Sequence, residues 1–406
     1  MRYGGFNYID LKYKPRESDL ICTFRVEPNG VPFNTAAMHV AGESSVGTWT
    51  KVTTLTRSVV DKRARVFYIK KPYIKIAYPI ELFEKGNMPQ VLSSIAGNVF
   101  GMKTVKNLRL EDVIFPRELI KSFKGPRYGI EGVRRITRIK DRPLIGTIVK
   151  PKLGLSSEQH AKVAYEAWVG GCDIVKDDEN LTNQSFNTFR KRLKLTMKMK
   201  EKAEKETGEV KVYLPNVTAE TFELLKREKL VEESGNKFVM VDILTAGFSA
   251  LQTLRNNTKL AIHGHRAMHA ALTRNKKHGI SMKVIAKVAR LIGVDQLHIG
   301  TAVGKMEGSK KEILDIKKAL EEDIGIKKTL SVASGGLHPG MVPKLMKMFG
   351  IDVIIQAGGG IHGHPKGTRA GATAMRQAVD AVLKGVSLKE YAKTHKELRL
   401  ALENWK

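Results

Sequence analysis

Cysteine is nearly missing: Cys22 and Cys172 are the only two in 406 residues, far apart in the chain. That excludes a disulfide framework and a thiolate zinc site, and it fits a reducing cytosol, so a cytoplasmic protein is expected. Long apolar runs are missing too. None approaches the roughly 20 residues needed to span a bilayer, so no membrane partner is expected. The start, M-R-Y-G-G-F-N-Y-I-D-L, has no apolar core between a basic head and a small-residue cleavage site, and no signal peptide is read there. Acid is scarce relative to base: 41 Asp+Glu against 70 Lys+Arg leaves a net charge of +29. A field of that sign attracts polyanions. The basic residues are nevertheless dispersed along stretches such as R-K-R-L-K-L-T-M-K-M-K-E-K-A-E-K, residues 190–205. Zinc-finger spacing, an aromatic RNA-binding signature and a concentrated basic tail are all lacking, so the expectation is a solvated basic surface without a nucleic-acid partner.

What is present is a repeated pattern. From about residue 140, eight apolar, β-rich runs recur: 144–151, 172–177, 211–217, 238–244, 259–265, 296–301, 330–336 and 352–360. Segments of helical periodicity lie between them, for example H-A-K-V-A-Y-E-A-W-V (160–169) and M-V-P-K-L-M-K-M-F (341–349). Near-continuous apolar strands alternating with helices predict a closed parallel (β/α)₈ barrel. An open doubly wound sheet is the other candidate, but no G-x-G-x-x-G follows the first strand.

Most of these runs end in residues that can do chemistry. The first carries Lys150 and Lys152, the second Lys176, Asp178 and Glu179, and the fifth His263, His265 and Arg266. The sixth carries His298, the seventh Ser334-Gly335-Gly336, and the eighth Gly358-Gly359-Gly360. Parallel barrel strands point their C-terminal ends at one mouth, so these groups are expected to converge.

The sharpest stretch is G-G-C-D-I-V-K-D-D-E-N, residues 170–180, where a lysine is followed by Asp177, Asp178 and Glu179. One ammonium does not balance three carboxylates, so either a bound cation or a solvated acidic turn is implied. Asp178 and Glu179 are hard oxygen ligands suited to Mg²⁺. Lys176, two residues before Asp178, shares its strand face. Protonated, the lysine would repel the metal; converted by CO₂ to a carbamate it would add a third oxygen ligand and a base. The glycine-rich ends at 334–336 and 358–360 suit an anion, and Arg266 with His298 suits another. Two anion pockets flanking a metal suggest a small substrate phosphorylated at both ends. The loop V-G-K-M-E-G, residues 303–308, reads as a mobile lid carrying Lys305.

These motifs, with K-P-K-L-G-L (150–155), H-R-A-M-H-A (265–270), E-S-S-V-G-T-W-T (43–50), G-N-V-F-G (97–101) and L-R-L-E-D-V (108–113), resemble the large chain of ribulose-1,5-bisphosphate carboxylase/oxygenase, Rubisco. The wording L-H-I-G-T-A-V-G-K-M-E-G (297–308) is similar to the archaeal-type form III. The resemblance implies a smaller α+β, ferredoxin-like amino-terminal domain (residues 1–125) ahead of the TIM barrel (126–406). It implies a carbon–carbon lyase acting on ribulose-1,5-bisphosphate, CO₂ and O₂. Carbamylated Lys176, Asp178 and Glu179 would hold Mg²⁺, and Lys176 would take the C3 proton. Lys150 would carry proton transfers with Lys152 in support, His265 would assist hydration, and Lys305 would close over the incoming CO₂. Thr48, Trp49, Gly335, Gly336, Gly358 and Gly359 would serve one phosphate end, Arg266 and His298 the other, and Ser334 a substrate hydroxyl. Asn98 would lie near the metal and Glu43 would pair with Lys305. In this family Glu43, Thr48, Trp49 and Asn98 come from the neighbouring subunit, so at least a homodimer is expected, without an obligatory small subunit. A Rubisco-like enolase or isomerase and a basic nucleic-acid-binding barrel are the alternative functions.

Overall fold

The computed structural model describes residues 5–303 and 309–405. Two compact units divide the chain. The first takes in the chain up to Lys124 with Met268–Ile292 and Asp323–Ile326; the second takes in Gly125–Ala267, Gly293–Glu322 and the chain from Lys327 onward.

In the first unit β1 (Leu20–Pro28) leads through the helix Phe33–Glu43 to the hairpin β2 (Arg65–Lys70) and β3 (Tyr73–Tyr78), then through the helix Met88–Ala96 to β4 (Val105–Ile114). Alternate residues of β1, from Leu20 to Val26, are buried, so one sheet face packs and the other faces solvent. The four strands order as β4-β1-β3-β2 with antiparallel neighbours, the ferredoxin-like arrangement.

The second unit holds eight strands: β5 (Leu144–Ile148), β6 (Ile174–Lys176), β7 (Val212–Leu214), β8 (Phe238–Asp242) and β9 (Ala261–His265), then β11 (Gln296–His298), β12 (Leu330–Ser334) and β13 (Val353–Gln356). The short β10 (Gly279–Ile280) instead joins the first unit's sheet, parallel to β4. The eight pair in parallel in the order β7-β6-β5-β13-β12-β11-β9-β8. Closure between β7 and β8 comes from two backbone bonds, Met240 N to Pro215 O (2.9 Å) and Val217 N to Met240 O (3.0 Å). All eight expected strands form, trimmed at their ends.

Inward positions follow a period of two, and Leu144, Ile174, Val212, Leu214, Phe238, Met240, Leu330, Val332 and Ile354 fill the barrel as one apolar cluster. Toward the C-terminal strand ends the inward rows change to Lys176, Asp242, His265, His298, Ser334 and Gln356, with the His263–Gln296 pair one level below them. The barrel floor is thus mainly apolar and its mouth polar. No helix among the described residues is long and apolar enough to cross a membrane.

Candidate active site

Strand β6 delivers the lysine and the acids. Lys176 is fully buried, and its Nζ donates to the Asp177 carbonyl (2.7 Å) with Glu179 Oε2 at 3.4 Å and Met240 Sδ at 3.3 Å. Asp178 is buried beside it; its Oδ2 accepts from Lys150 Nζ at 2.7 Å and its Oδ1 from the backbone and side chain of Asn180. Burial would raise the Glu179 carboxyl, but the charges of Lys176, His265 and Lys150 hold it down at about 2. Glu179 is therefore anionic at neutral pH.

Asp177 is neither a solvated turn residue nor part of this set. It faces the other side of the strand, fully buried, and accepts from Arg192 Nε (3.0 Å), Tyr213 OH (2.7 Å) and Asn216 N (3.0 Å), with His160 Nε2 3.1 Å away. Burial alone would raise its carboxyl; Arg192 and the hydrogen bonds override that and push it down. The third acid is answered by an arginine, which leaves Asp178 and Glu179 at the mouth. Asn216 ties the two sides together: its Nδ2 donates to the carbonyls of Asp178 (3.3 Å) and Glu179 (3.2 Å).

His265 stands across from these acids, Nε2 3.7 Å from Glu179 Oε2 and Nδ1 3.1 Å from Asp242 Oδ1. Next on the rim, His298 contacts Ser334 Oγ through Nδ1 (2.7 Å) and His263 through Nε2 (2.8 Å), and His263 Nδ1 contacts Gln296 Oε1 (2.7 Å). Burial depresses the pKa of both histidines, His263 to about 3 and His298 well below its usual value, so both rings are neutral. Arg266 is buried with no carboxylate partner among the described residues, and that burial draws its pKa down to about 10. A guanidinium so placed favours an incoming anion. Gly335 and Gly336 take positive φ, 114° and 72°, backbone conformations that favour glycine. At Gly358 a Cβ would meet Lys150 Cε at 3.2 Å, so this glycine keeps room for the lysine.

The structure therefore gathers Lys150, Lys176, Asp178, Glu179 and His265 at one point, with His298 and Ser334 joined in a second group. Lys152 is exposed and makes no side-chain hydrogen bond or ion pair among the described residues. In the first unit Asn98 Nδ2 reaches Glu43 Oε1 at 3.3 Å, and Trp49, near Thr48, is 80% exposed. Lys305 and most of its loop lie outside the described residues. Sequence reasoning missed Asn216, Asp242 and Gln296 as site residues and gave His263 no role. The two-residue spacing of His263 from His265, and of Gln296 from His298, was the available signal.

The class is that of a parallel barrel enzyme with a lysine and two carboxylates gathered at the mouth. Comparison with known proteins gives the family. The sequence profile "Ribulose bisphosphate carboxylase large chain, catalytic domain" matches residues 129–405, and the corresponding N-terminal domain profile matches residues 7–119. A protein of Methanosarcina mazei named ribulose bisphosphate carboxylase is 54% identical over 98% of this chain and 99% of its own. The octameric Rubisco of Pyrococcus horikoshii superposes with a TM-score of 0.94 at 49% identity, covering 98% of this chain and 96% of that one. The dimeric archaeal Rubisco of Hyperthermus butylicus gives 0.92 at 48% identity, covering 98% of both. The chain belongs to the Rubisco large-chain family.

Proposed function

We propose that the protein is a ribulose-1,5-bisphosphate carboxylase that also reacts its enolised substrate with O₂. The carrying observation is the fully buried Lys176, its amine beside one carboxylate and its strand leading straight into a second. The donor set fits magnesium only if the lysine contributes. Among the described residues no group of three His, Cys, Asp or Glu side chains can hold a metal, so Asp178 and Glu179 need a third oxygen donor. A carbamate on Lys176 would be that donor, and Mg²⁺ held by the three would polarise the oxygens of the sugar.

The remaining chemistry falls to this chain's own groups. Lys176, once carbamylated, takes the proton from C3. Lys150, held on Asp178, moves protons at the reacting oxygens and ends the sequence by protonating the carbanion left by C–C cleavage. His265, braced by Asp242, assists the addition of water to the carboxylated sugar. Arg266 and His298 serve one phosphate end, and Gly335, Gly336, Gly358 and Gly359 the other. Ser334 meets a sugar hydroxyl, Lys152 supports Lys150, and Lys305 closes over CO₂. Glu43, Thr48, Trp49 and Asn98 complete the neighbouring subunit's site, which makes the active unit a homodimer or a larger assembly without a small subunit. The functional parts are then residues 1–125 and 126–406, in a cytoplasmic enzyme.

The test is incorporation of ¹⁴CO₂ into acid-stable product with ribulose bisphosphate and Mg²⁺. Incorporation is expected; an enolised or isomerised product without incorporation would overturn the reading.

A further inference from the structure

Behind the glycine turn of the eighth strand, on the helix side of the barrel wall, lies a short polar line. Ladder pairing of β13 with β5 ends at Gln356 and Gly146, and residues 357–362 then swing away as the turn that carries Gly358 and Gly359. Thr147 of β5 reaches across to that turn. Its Oγ1 lies 2.7 Å from the Ala357 carbonyl and 2.9 Å from His362 Nε2, and His362 Nδ1 lies 3.0 Å from Thr368 Oγ1. Thr147 is fully buried and His362 half-buried. Close packing holds other sides of the turn: Gly360 lies against the Leu337 carbonyl and Gly371 against the Ile361 carbonyl, with no room for a Cβ at either.

The direction of this line is set by a backbone carbonyl. Two oxygens 2.7 Å apart need a hydrogen between them, and only the Thr147 hydroxyl can supply one to Ala357 O. Thr147 Oγ1 has then used its one hydrogen and can only accept, so His362 Nε2 carries an N–H. Burial and the Lys150 ammonium disfavour the imidazolium, which leaves Nδ1 bare to accept from the Thr368 hydroxyl. The line therefore runs from the helix Gly367–Leu383 through the ring to β5 and back to the turn at Ala357. Lys150 follows Thr147 by three residues, and its stem rests on Gly358, where a Cβ would meet Lys150 Cε at 3.2 Å. One hydrogen-bonded unit thus joins the turn to the segment that carries Lys150.

We propose that Thr147 and His362 are positioning residues that set the spacing between the Gly358–Gly359 turn and Lys150, and so between one phosphate end of the substrate and the group that moves its protons. The substrate rests on the carboxylase reading; the line and its direction do not. Neither residue touches a reacting atom, because strand parity turns Thr147 to the helix side while Leu144, Gly146 and Ile148 face the barrel. A turn that drifts loses its fit to an anion while every reacting group stays in place. Binding should therefore suffer more than turnover.

Three measurements test it. In the substrate-free holoenzyme, ¹⁵N shifts of the His362 ring should show Nε2–H with a bare Nδ1; the opposite tautomer overturns the proposal. Kinetically, Thr147→Val and His362→Leu should each raise KM for ribulose bisphosphate about tenfold, the weight of one hydrogen bond, with a smaller fall in kcat. Thr147→Ser, which keeps the hydroxyl, and His362→Gln, which keeps an N–H near Nε2, should restore most of the affinity. Because one line links the two residues, the Thr147→Val/His362→Leu pair should lose little more than either change alone. Losses that multiply in the pair, conservative variants no better than Val and Leu, or a fall in kcat with KM unchanged would assign the two residues a packing role and refute the proposal. Equilibrium dialysis with inorganic phosphate should show the same weakening without turnover. Unchanged phosphate binding in Thr147→Val and His362→Leu refutes this proposal even where ¹⁴CO₂ is incorporated, whereas weakened binding in a protein that incorporates none upholds it and overturns the carboxylase reading alone.

Discussion

Replacing Arg192 by methionine isolates the structural half of the acidic turn. Arg192 is fully buried and supports three groups at once: Asp177 through Nε (3.0 Å), the Asn187 carbonyl through Nη1 (2.7 Å) and the Thr182 carbonyl through Nη2 (2.7 Å). Without it Asp177 keeps the Tyr213 hydroxyl, the Asn216 amide and His160 Nε2 at 3.1 Å, but loses the one arginine that pairs with it among the described residues. Removing one partner of a buried ion pair costs about 3–5 kcal/mol, because the remaining charge is stranded in low dielectric. That is a large share of the ~5–15 kcal/mol that holds an ordinary fold together. Adding Asp177→Asn should recover about 2 kcal/mol or more, since the amide is uncharged: its oxygen can accept from the Asn216 amide while its NH₂ donates to the Tyr213 oxygen. Urea unfolding followed by tryptophan fluorescence reads this well: Trp168 packs edge to face on Tyr213, centroids 6.3 Å apart, beside the pair. Asp177→Asn/Arg192→Met no more stable than Arg192→Met would refute the view that Asp177 answers an arginine rather than a metal.

Other outcomes follow from the same geometry. Lys176→Ala should abolish ¹⁴CO₂ incorporation; retained turnover would remove Lys176 as base. Lys305→Ala should lose carboxylation yet keep measurable solvent-hydrogen exchange at C3, because the lid lysine acts after proton abstraction, and equal loss of both would contradict that division. Acidification should destabilise the barrel earlier than its carboxylates require. His263, buried, and His362, half-buried, have pKa values lowered by desolvation to about 3 and 4, so between pH ~6.5 and those values the unfolded chain binds protons that the fold excludes. The urea midpoint should therefore fall from pH 7.5 to 5; a flat or rising midpoint would show that these rings are protonated in the folded protein.

The barrel was legible because its strands are apolar on both faces and each ends in chemistry. Strand lengths were not: 352–360 reads as one run, but β13 stops at Gln356, since residues 357–360 leave the sheet as a glycine turn into a helix. Strand parity explains the acidic turn, for Asp177 must face away from Lys176 and Asp178. Its partner, Arg192, lies in a helix whose other basic residues are mostly exposed, and nothing in the local sequence marks it. Asn216, Asp242 and Gln296 escaped for the same reason. Their roles arise between strands, from register that only the closed barrel sets.

Crystals grown with magnesium and bicarbonate test the central claim most directly. The account predicts density for a metal whose oxygen ligands come from Asp178, Glu179 and a CO₂-modified Lys176. A bare Lys176 amine paired with Glu179, and the two acids turned apart under those conditions, would contradict it.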